Sequence, residues 1–538
     1  MNRRFVGIVY ALAWSGCAIV SPTKAHAKPS EREGAAGCVV VKRIVLDGLS
    51  LLDKTGEREV TAPFVGRCLA IQDIEHVIRK VTQAYIEMGY VAARVYVPEQ
   101  DLGSGTLRFV VLEGAVEEIQ WNGSHKTGRG FVAAAFPGIK GKPLQLRDLE
   151  RGIRQLSRMK SFSVKSELLP GKKPGGTIID VKAQRTAPVT GSVFRDNFGS
   201  EGTGDVRTGL SLAFDGYLGI GEVVDLSYVR SGSGWLGFSD RPSDDTFRLA
   251  LTAPLGRATI SLSNEYGRYR SGFETPLGTP VNTRGADMTS NFSTIWTLDE
   301  RLGSETRLSF GLERYQTWNY LHVSGFAEVA LATQSHVFAS ATLGISHDWS
   351  SSGYQMHAGA SLVQGIGAFG ATGKSDPDLG LVEGDAFSVE LDASLYKTFE
   401  VQQQELRYDV MFTGKLSADE LPDYRRLSLG GIGSVRGIQT SLVDANRGAV
   451  IRNELSKPLD WSLGSQWGTL EAYTAFDAGT AEAEGELVSM AGVTVGARTR
   501  GGRVAFGIAY SDIVFHSGRA WQAKPKTGVV QAELTFRF

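Results

Sequence analysis

The chain is short of the residues that mark several common protein classes. Cysteine occurs 3 times in 538 residues, so no dense disulfide framework holds it together. Its 57 Lys and Arg balance 58 Asp and Glu, which leaves no charge excess to draw nucleic acid or an acidic partner. Beyond the N-terminal stretch, no apolar run reaches about 18 residues, the length a membrane-spanning helix needs. The 8 histidines are scattered, and His322, His336, His347 and His357 show no metal-ligand spacing. No Gly-x-Ser-x-Gly elbow and no acid–base pair in a recognisable frame is present, so the sequence offers no catalytic residue, cofactor or metal site. Residues 368–375 fit a relaxed phosphate-loop pattern. Asp376-Pro377-Asp378 follows them, however, where that chemistry needs a helix.

Glycine is what the chain has in quantity, 65 residues of it. Many glycines beside few cysteines suit an all-β chain with tight turns. Arg3 and Arg4, the mostly apolar stretch Phe5 to Val20 and the small-x-small site Ala25-His26-Ala27 read together as an export signal over residues 1–27. A membrane anchor fits less well, because the run is short and ends in a cleavage site. Lipid attachment at Cys17 also fits less well, since Trp14 stands where a Leu is needed. After cleavage only Cys38 and Cys68 remain, and export lets them pair. The bond closes a loop of about 30 residues, worth roughly 3–4 kcal/mol.

Residues 38–115 follow one grammar. A strand from Val39 to Leu46 opens it. Ile71, Ile74, Val77, Ile78, Val81 and Tyr85 recur at helical spacing, with Gly89 as a natural C-cap. Strands Ala93 to Val97 and Leu107 to Leu112 close the unit, joined through the turn-prone residues 101–105. Residues 116–187 repeat the order more loosely. A strand spans Val116 to Trp121, and Leu146, Leu149, Ile153 and Leu156 mark a helix. Strands Phe162 to Leu168 and Thr177 to Val181 follow, parted by the breaker run 170–176. Each module leaves a short edge strand able to accept an extended peptide. Arg94, Val95, Tyr96 and Val97 form one such edge, and Val164, Lys165 and Ser166 another. Peptide binding and a mere spacer role are both open on these residues alone.

From residue 188 to 538 the helical period vanishes and two-residue alternation takes over. Val530, Ala532, Leu534, Phe536 and Phe538 share one face of the last segment, opposite Gln531, Glu533, Thr535 and Arg537. Leu406, Tyr408, Val410 and Phe412 likewise oppose Arg407 and Asp409. Apolar outside and charged inside is the pattern of a membrane barrel with a wet lumen. About sixteen such segments can be counted, beginning near Gly191, Val206, Glu222, Thr246, Arg257, Met288, Thr306, Gln334, Tyr354, Phe387, Glu405, Ala449, Trp467, Val488, Arg503 and Gly528. Connections after even segments are short and those after odd segments mostly long, such as 366–386, 419–447 and 512–526. A soluble sandwich has no reason for that asymmetry. The terminal Phe538 suits a last strand read by the barrel-assembly machinery during insertion into outer-membrane lipid.

The plan resembles the two-partner secretion transporters, the TpsB family of haemolysin and filamentous-haemagglutinin exporters, over nearly the whole mature chain. Cys38 and Gly66-Arg67-Cys68-Leu69 are similar to that family's first module. The sharpest likeness lies in Leu421 to Ile438, which ends in Val435-Arg436-Gly437-Ile438. It resembles the family's loop that folds into the pore and ends in Val-Arg-Gly and an aromatic, although Ile438 replaces the aromatic. Phe476-Asp477-Ala478-Gly479 resembles the family's strand motif, and alternation puts Asp477 on the lumen face with Glu471 and Tyr473. Arg offers a planar fork matched to a carboxylate, so Arg436 and Asp477 form a candidate bidentate anchor.

The resemblance implies a sixteen-stranded antiparallel outer-membrane β-barrel preceded by two small α+β polypeptide-transport-associated (POTRA) domains in the periplasm. It implies a monomer that takes an unfolded secreted partner carrying an N-terminal secretion domain and exports it without ATP. Rival readings are a barrel-assembly factor of the same superfamily and a passive porin. Some relatives plug the pore with an N-terminal helix. Residues 28–37 are too few to cross a barrel as a helix, so the expectation is a pore closed by the folded-in loop alone.

Overall fold

The computed structural model describes residues 37–538 apart from 124–127, 188, 201, 233–241, 275–279, 302, 324–330, 374–378, 380–381, 463 and 524. The export signal, residues 28–36 and Lys374 and Ser375 of the phosphate-loop-like stretch therefore lie outside the described residues. Two compact units emerge. One comprises the chain up to Ala115 with Pro143–Gln145 and Lys172–Gly176, and the other comprises Val116–Lys142, Leu146–Gly171 and Thr177–Phe538.

The first unit holds β1 (Val39–Val41), β2 (Arg43–Asp47), α1 (Lys54–Thr61), β3 (Arg67–Leu69), α2 (Ile71–Glu87), β4 (Arg94–Tyr96) and β5 (Thr106–Leu112). β2 runs parallel to β5, and β4 lies on the other side of β5, which makes β4 an edge. The strand expected over Val39 to Leu46 is broken at Lys42. The amides of Lys42 and Arg43 both turn to the Gly105 carbonyl, at 2.7 and 3.2 Å, and this kink sends β1 away to pair with β3. Val40 lies opposite Cys68, and the Cys38–Cys68 disulfide clips that small ladder. Val77, Val81 and Tyr85 of α2 pack against Leu107 and Phe109 of β5 as the core. Helix α1 is absent from the sequence reading. It carries Gly56 and little apolar surface, and it is fixed by Asp53, whose side chain accepts from the Gly56 amide at 2.8 Å.

The second module holds β6 (Ala115–Gly123), α3 (Gly128–Ala135), α4 (Leu146–Leu156), β7 (Phe162–Pro170) and β8 (Gly176–Arg185), with sheet order β6-β8-β7. Helix α3, also missed, buries Phe131 edge-on against Trp121 and Phe162. Helix α4 rests on the rim of the barrel. Arg154 pairs with Glu300 and, at 3.0 Å, with Glu305, while Gln155 donates to the Gly256 carbonyl at 3.1 Å.

The barrel strands are β9 (Val189–Asp196), β10 (Arg207–Asp215), β11 (Val223–Gly232), β12 (Ser243–Leu255), β13 (Ala258–Glu274), β14 (Pro280–Arg301), β15 (Ser304–Val323), β16 (Leu331–Ser351), β17 (Tyr354–Gly365), β18 (Phe387–Val401) and β19 (Gln404–Leu416). Two short strands, β20 (Leu427–Leu429) and β21 (Val443–Ala445), interrupt the series. It resumes with β22 (Arg447–Ser462), β23 (Gly468–Ala483), β24 (Glu486–Gly501), β25 (Val504–Ser517) and β26 (Val529–Arg537). Among the described residues, sixteen antiparallel strands close into one barrel, with β26 pairing back onto β9. No described helix is long and apolar enough to cross a membrane.

The outer face carries Leu249, Leu262, Ile345, Val495, Ile508 and Val530, all substantially exposed, whereas Glu471, Asp477 and Gln531 on the inner face are buried. Strand β14 runs for 22 residues and β15 for 20, about twice what crossing a bilayer requires. Their long-loop ends therefore extend well past the hydrocarbon. Two connections depart from the expected pattern. The turn between β23 and β24 at that end is only residues 484–485, with both in the left-handed region, and β25 continues to Ser517, beyond the loop start expected at 512.

Candidate functional site

The connection from β19 to β22 does not stay outside. β20 and β21 pair as a hairpin, from Leu427↔Ala445 to Leu429↔Val443, and the hairpin lies against the inner wall. Leu429, Val435 and Ile438 pack on Val450 of β22, Ala481 of β23 and Val488 and Met490 of β24, forming a small apolar core inside the lumen. Ile438 is 2% exposed. Where an aromatic ring would stack, this chain places an aliphatic side chain in that core.

The tip is held by charge. Arg436 Nε donates to Asp477 Oδ2 at 2.6 Å and Nη2 to Asp477 Oδ1 at 2.8 Å, and the Arg436 amide adds a third bond to Oδ2 at 3.2 Å. The side chains are 7% and 1% exposed. Ion pairs so shielded from water are strong only when every donor finds an acceptor. Arg436 Nη1 finds one in Glu454 Oε2 at 3.3 Å. Glu454 Oε1 accepts from Arg498 Nη2 at 2.5 Å, and Arg498 lies over the Tyr473 ring at 4.6 Å. Glu471 then gathers Arg407, Arg498 and Arg500. The anchor is thus the upper end of a ladder of alternating charge running down β22, β23 and β24.

Glycine makes the fit possible. A Cβ on Gly492 would sit 1.9 Å from the Arg436 carbonyl oxygen, so only glycine lets β24 approach the tip. Gly437, at φ +127°, lies against Asp512 and Ile513 of β25 in the same way.

Val435, Arg436, Gly437 and Ile438, expected in the loop, and Phe476, Asp477 and Gly479, expected on the strand, come together in the structure. Phe476 points outward at 49% exposure, while Gly479 faces Leu429 of the hairpin. Glu454 and Arg498 were missed. Arg452 and Glu454 share a face of β22 at a two-residue step, which was the available signal. The foot of the loop was missed as well. Tyr424 stacks on Tyr315 of β15 at 4.0 Å, and Arg425 Nη2 reaches Ser388 Oγ at 3.0 Å. Arg94, Val95, Tyr96 and Val97 lie along the edge β4 and just beyond it, with Tyr96 52% and Val97 43% exposed. Val164, Lys165 and Ser166 lie on the edge β7.

The family described as "Haemolysin secretion/activation protein ShlB/FhaC/HecB" matches residues 175–499, a ShlB-type POTRA domain matches residues 39–114, and a further POTRA domain matches residues 115–170. Outer membrane transporter CdiB of Escherichia coli O6:K15:H31 is 31% identical over 465 residues, covering 85% of this chain and 76% of its own. Hemolysin transporter protein HpmB of Proteus mirabilis is 27% identical, covering 82% and 75%. The solved structure of CdiB from Escherichia coli superposes with a TM-score of 0.79 at 26% identity, covering 95% of this chain and 93% of that one. With two POTRA domains in the periplasm, a closed sixteen-stranded barrel and these relatives, the chain belongs to the haemolysin secretion/activation family, the outer-membrane transporters of two-partner secretion.

Proposed function

We propose that this transporter takes its secreted partner unfolded from the periplasm, on the edges β4 and β7, and passes it through the lumen once the loop anchored by Arg436 and Asp477 has moved aside. The bidentate, buried Arg436–Asp477 pair carries the reading, because it fixes a folded loop against the inner wall of the barrel. A passive porin has no use for such a lock. An extended segment added to β4 or β7 completes the sheet with main-chain hydrogen bonds, which read no particular side chains and suit an unfolded client. Residues 38–115, 116–187 and 188–538 are the working parts: two receptor modules and the pore. No ATP enters the cycle, since folding of the partner outside draws it forward. The chain acts as a monomer in outer-membrane lipid, uses no catalytic residue or cofactor, and is inserted by the barrel-assembly machinery through its last strand, ending in Phe538.

Deleting the gene while its partner is still expressed tests the reading. The partner should accumulate in the periplasm, with the other outer-membrane barrels at normal levels. Continued secretion would contradict export. A general loss of barrels would point to an assembly factor instead.

A further inference from the structure

The loop tip does not stop at Asp477. Residues 436–439 continue along the inside of the wall and cross the line where the barrel closes. Arg436 holds β23, its carbonyl lies over Gly492 of β24, and Gly437 lies on β25. The Gly437 carbonyl then accepts from the Gly528 amide at 3.2 Å, just before β26, and Ile438 bridges Thr527. Gln439 reaches across to the other side. Its Nε2 donates to the carbonyls of Asn197 at 2.8 Å and Gly199 at 2.9 Å, just past the end of β9. One four-residue stretch is therefore bonded to the segments that adjoin both strands of the seam.

That seam has a short main-chain ladder, from Glu533↔Asp196 to Arg537↔Ser192, with Gly191 and Phe538 exchanging a pair of bonds at 3.0 Å below it. Above Asp196 the Asn197 amide still donates to the Ala532 carbonyl at 3.2 Å, and from there the ladder is continued by the Asn197 side chain. Asn197 Oδ1 accepts from the Ala532 amide at 2.8 Å, and Asn197 Nδ2 donates to the Val530 carbonyl at 2.7 Å. The carboxamide takes the place of one peptide group. Gln439 holds the backbone of that same residue. Its task requires two N–H donors on one nitrogen, which Gln provides and Glu cannot.

We propose that Gln439 and Asn197 are positioning residues that couple the seat of the pore loop to closure of the β26–β9 seam, so that lifting the loop also unlatches the upper seam. This rests on the gating role proposed for the loop, and the test separates the two.

Full-length protein in planar bilayers is compared as wild type, Gln439→Glu and Asn197→Asp, each checked for insertion by heat-modifiable migration. Each variant is also made with Val193→Cys and Phe536→Cys, which face each other across the seam on the outer face, and with either cysteine alone as control. Gln439→Glu and Asn197→Asp should raise the frequency of large openings at least tenfold, and the oxidised cysteine pair should return it to wild type. Openings that persist with the seam locked would show that Gln439 only steadies the loop in the lumen, and would overturn the coupling. Wild-type gating in both variants would overturn it too. Asp477→Ala in parallel reports on the gate itself: if it stays quiet, the gating role fails whatever the seam does.

Discussion

The wall at β14–β15 and the wall where β26 meets β9 follow the same alternation but are held in different ways. On the first side, strands of 22 and 20 residues pair from Val281↔Val323 to Arg301↔Ser304 with one irregularity between Thr297 and Asp299, and a long main-chain ladder carries the join beside side-chain contacts such as Thr297 with Glu305. At the seam, strands of 9 and 8 residues share a short ladder, and named side chains do the rest. The lesson is that specificity concentrates where the ladder is short. A long ladder tolerates changes in its side chains, because each contributes only a few tenths of a kcal/mol. Around the seam and the loop, one carboxylate or one amide decides whether a segment is seated.

Point substitutions sharpen that contrast, beginning with the largest expected effect. Asp477→Ala leaves Arg436 buried without its main partner, and breaking a buried pair costs about 3–5 kcal/mol. Hydrogen exchange of residues 427–445 should accelerate by roughly two to four orders of magnitude, while the β14–β15 amides stay protected. Gly492→Ala drives a methyl group into the Arg436 carbonyl and should loosen the same segment by about 1–3 kcal/mol, as overpacking does.

Glu113 provides a test away from the membrane. Its carboxylate accepts from the Ser50 and Leu51 amides at 2.6 and 2.9 Å and from the Tyr85 hydroxyl at 2.8 Å. Burial pushes the carboxyl up, but these bonds and the Ser50 hydroxyl outweigh it and hold the group below its ordinary 4.5. A lowered folded value means that the stabilisation is present above about pH 4.5 and is lost as pH falls through the folded value. Glu113→Gln should therefore cost the first module about 1–2 kcal/mol at neutral pH and abolish that acid-side loss, as read by hydrogen exchange around Ser50 at a series of pH values. At the small end stands Gly311→Ala on β15. Its Cβ would meet nothing nearer than 3.5 Å, so exchange of the β14–β15 amides should change by less than about 0.5 kcal/mol. A large effect there would remove the distinction between the two walls.

Much of this organisation was legible in the sequence. The sixteen strands stood out because a membrane barrel imposes a strict two-residue period, and the loop motif stood out through Val435-Arg436-Gly437. Helices α1 and α3 did not. Lys54–Thr61 is poor in apolar residues and carries Gly56, so its helix is written in an N-cap and in tertiary contact rather than in a stripe. The kink at Lys42 depends on the distant Gly105 carbonyl. Gln439 was illegible for the same reason on a larger scale, since its partners lie 242 and 240 positions away and no local pattern announces them. The same holds for Tyr424 stacking on Tyr315.

On the proposed reading, the folded-in loop, locked by Arg436 and Asp477, closes this pore. Single-channel conductance of Asp477→Ala, beside a chain lacking residues 28–36, tests it most directly. Asp477→Ala should show frequent large openings, and the deletion should show wild-type conductance. Large openings in the deletion, with Asp477→Ala quiet, would contradict it and place the plug in the N-terminal segment.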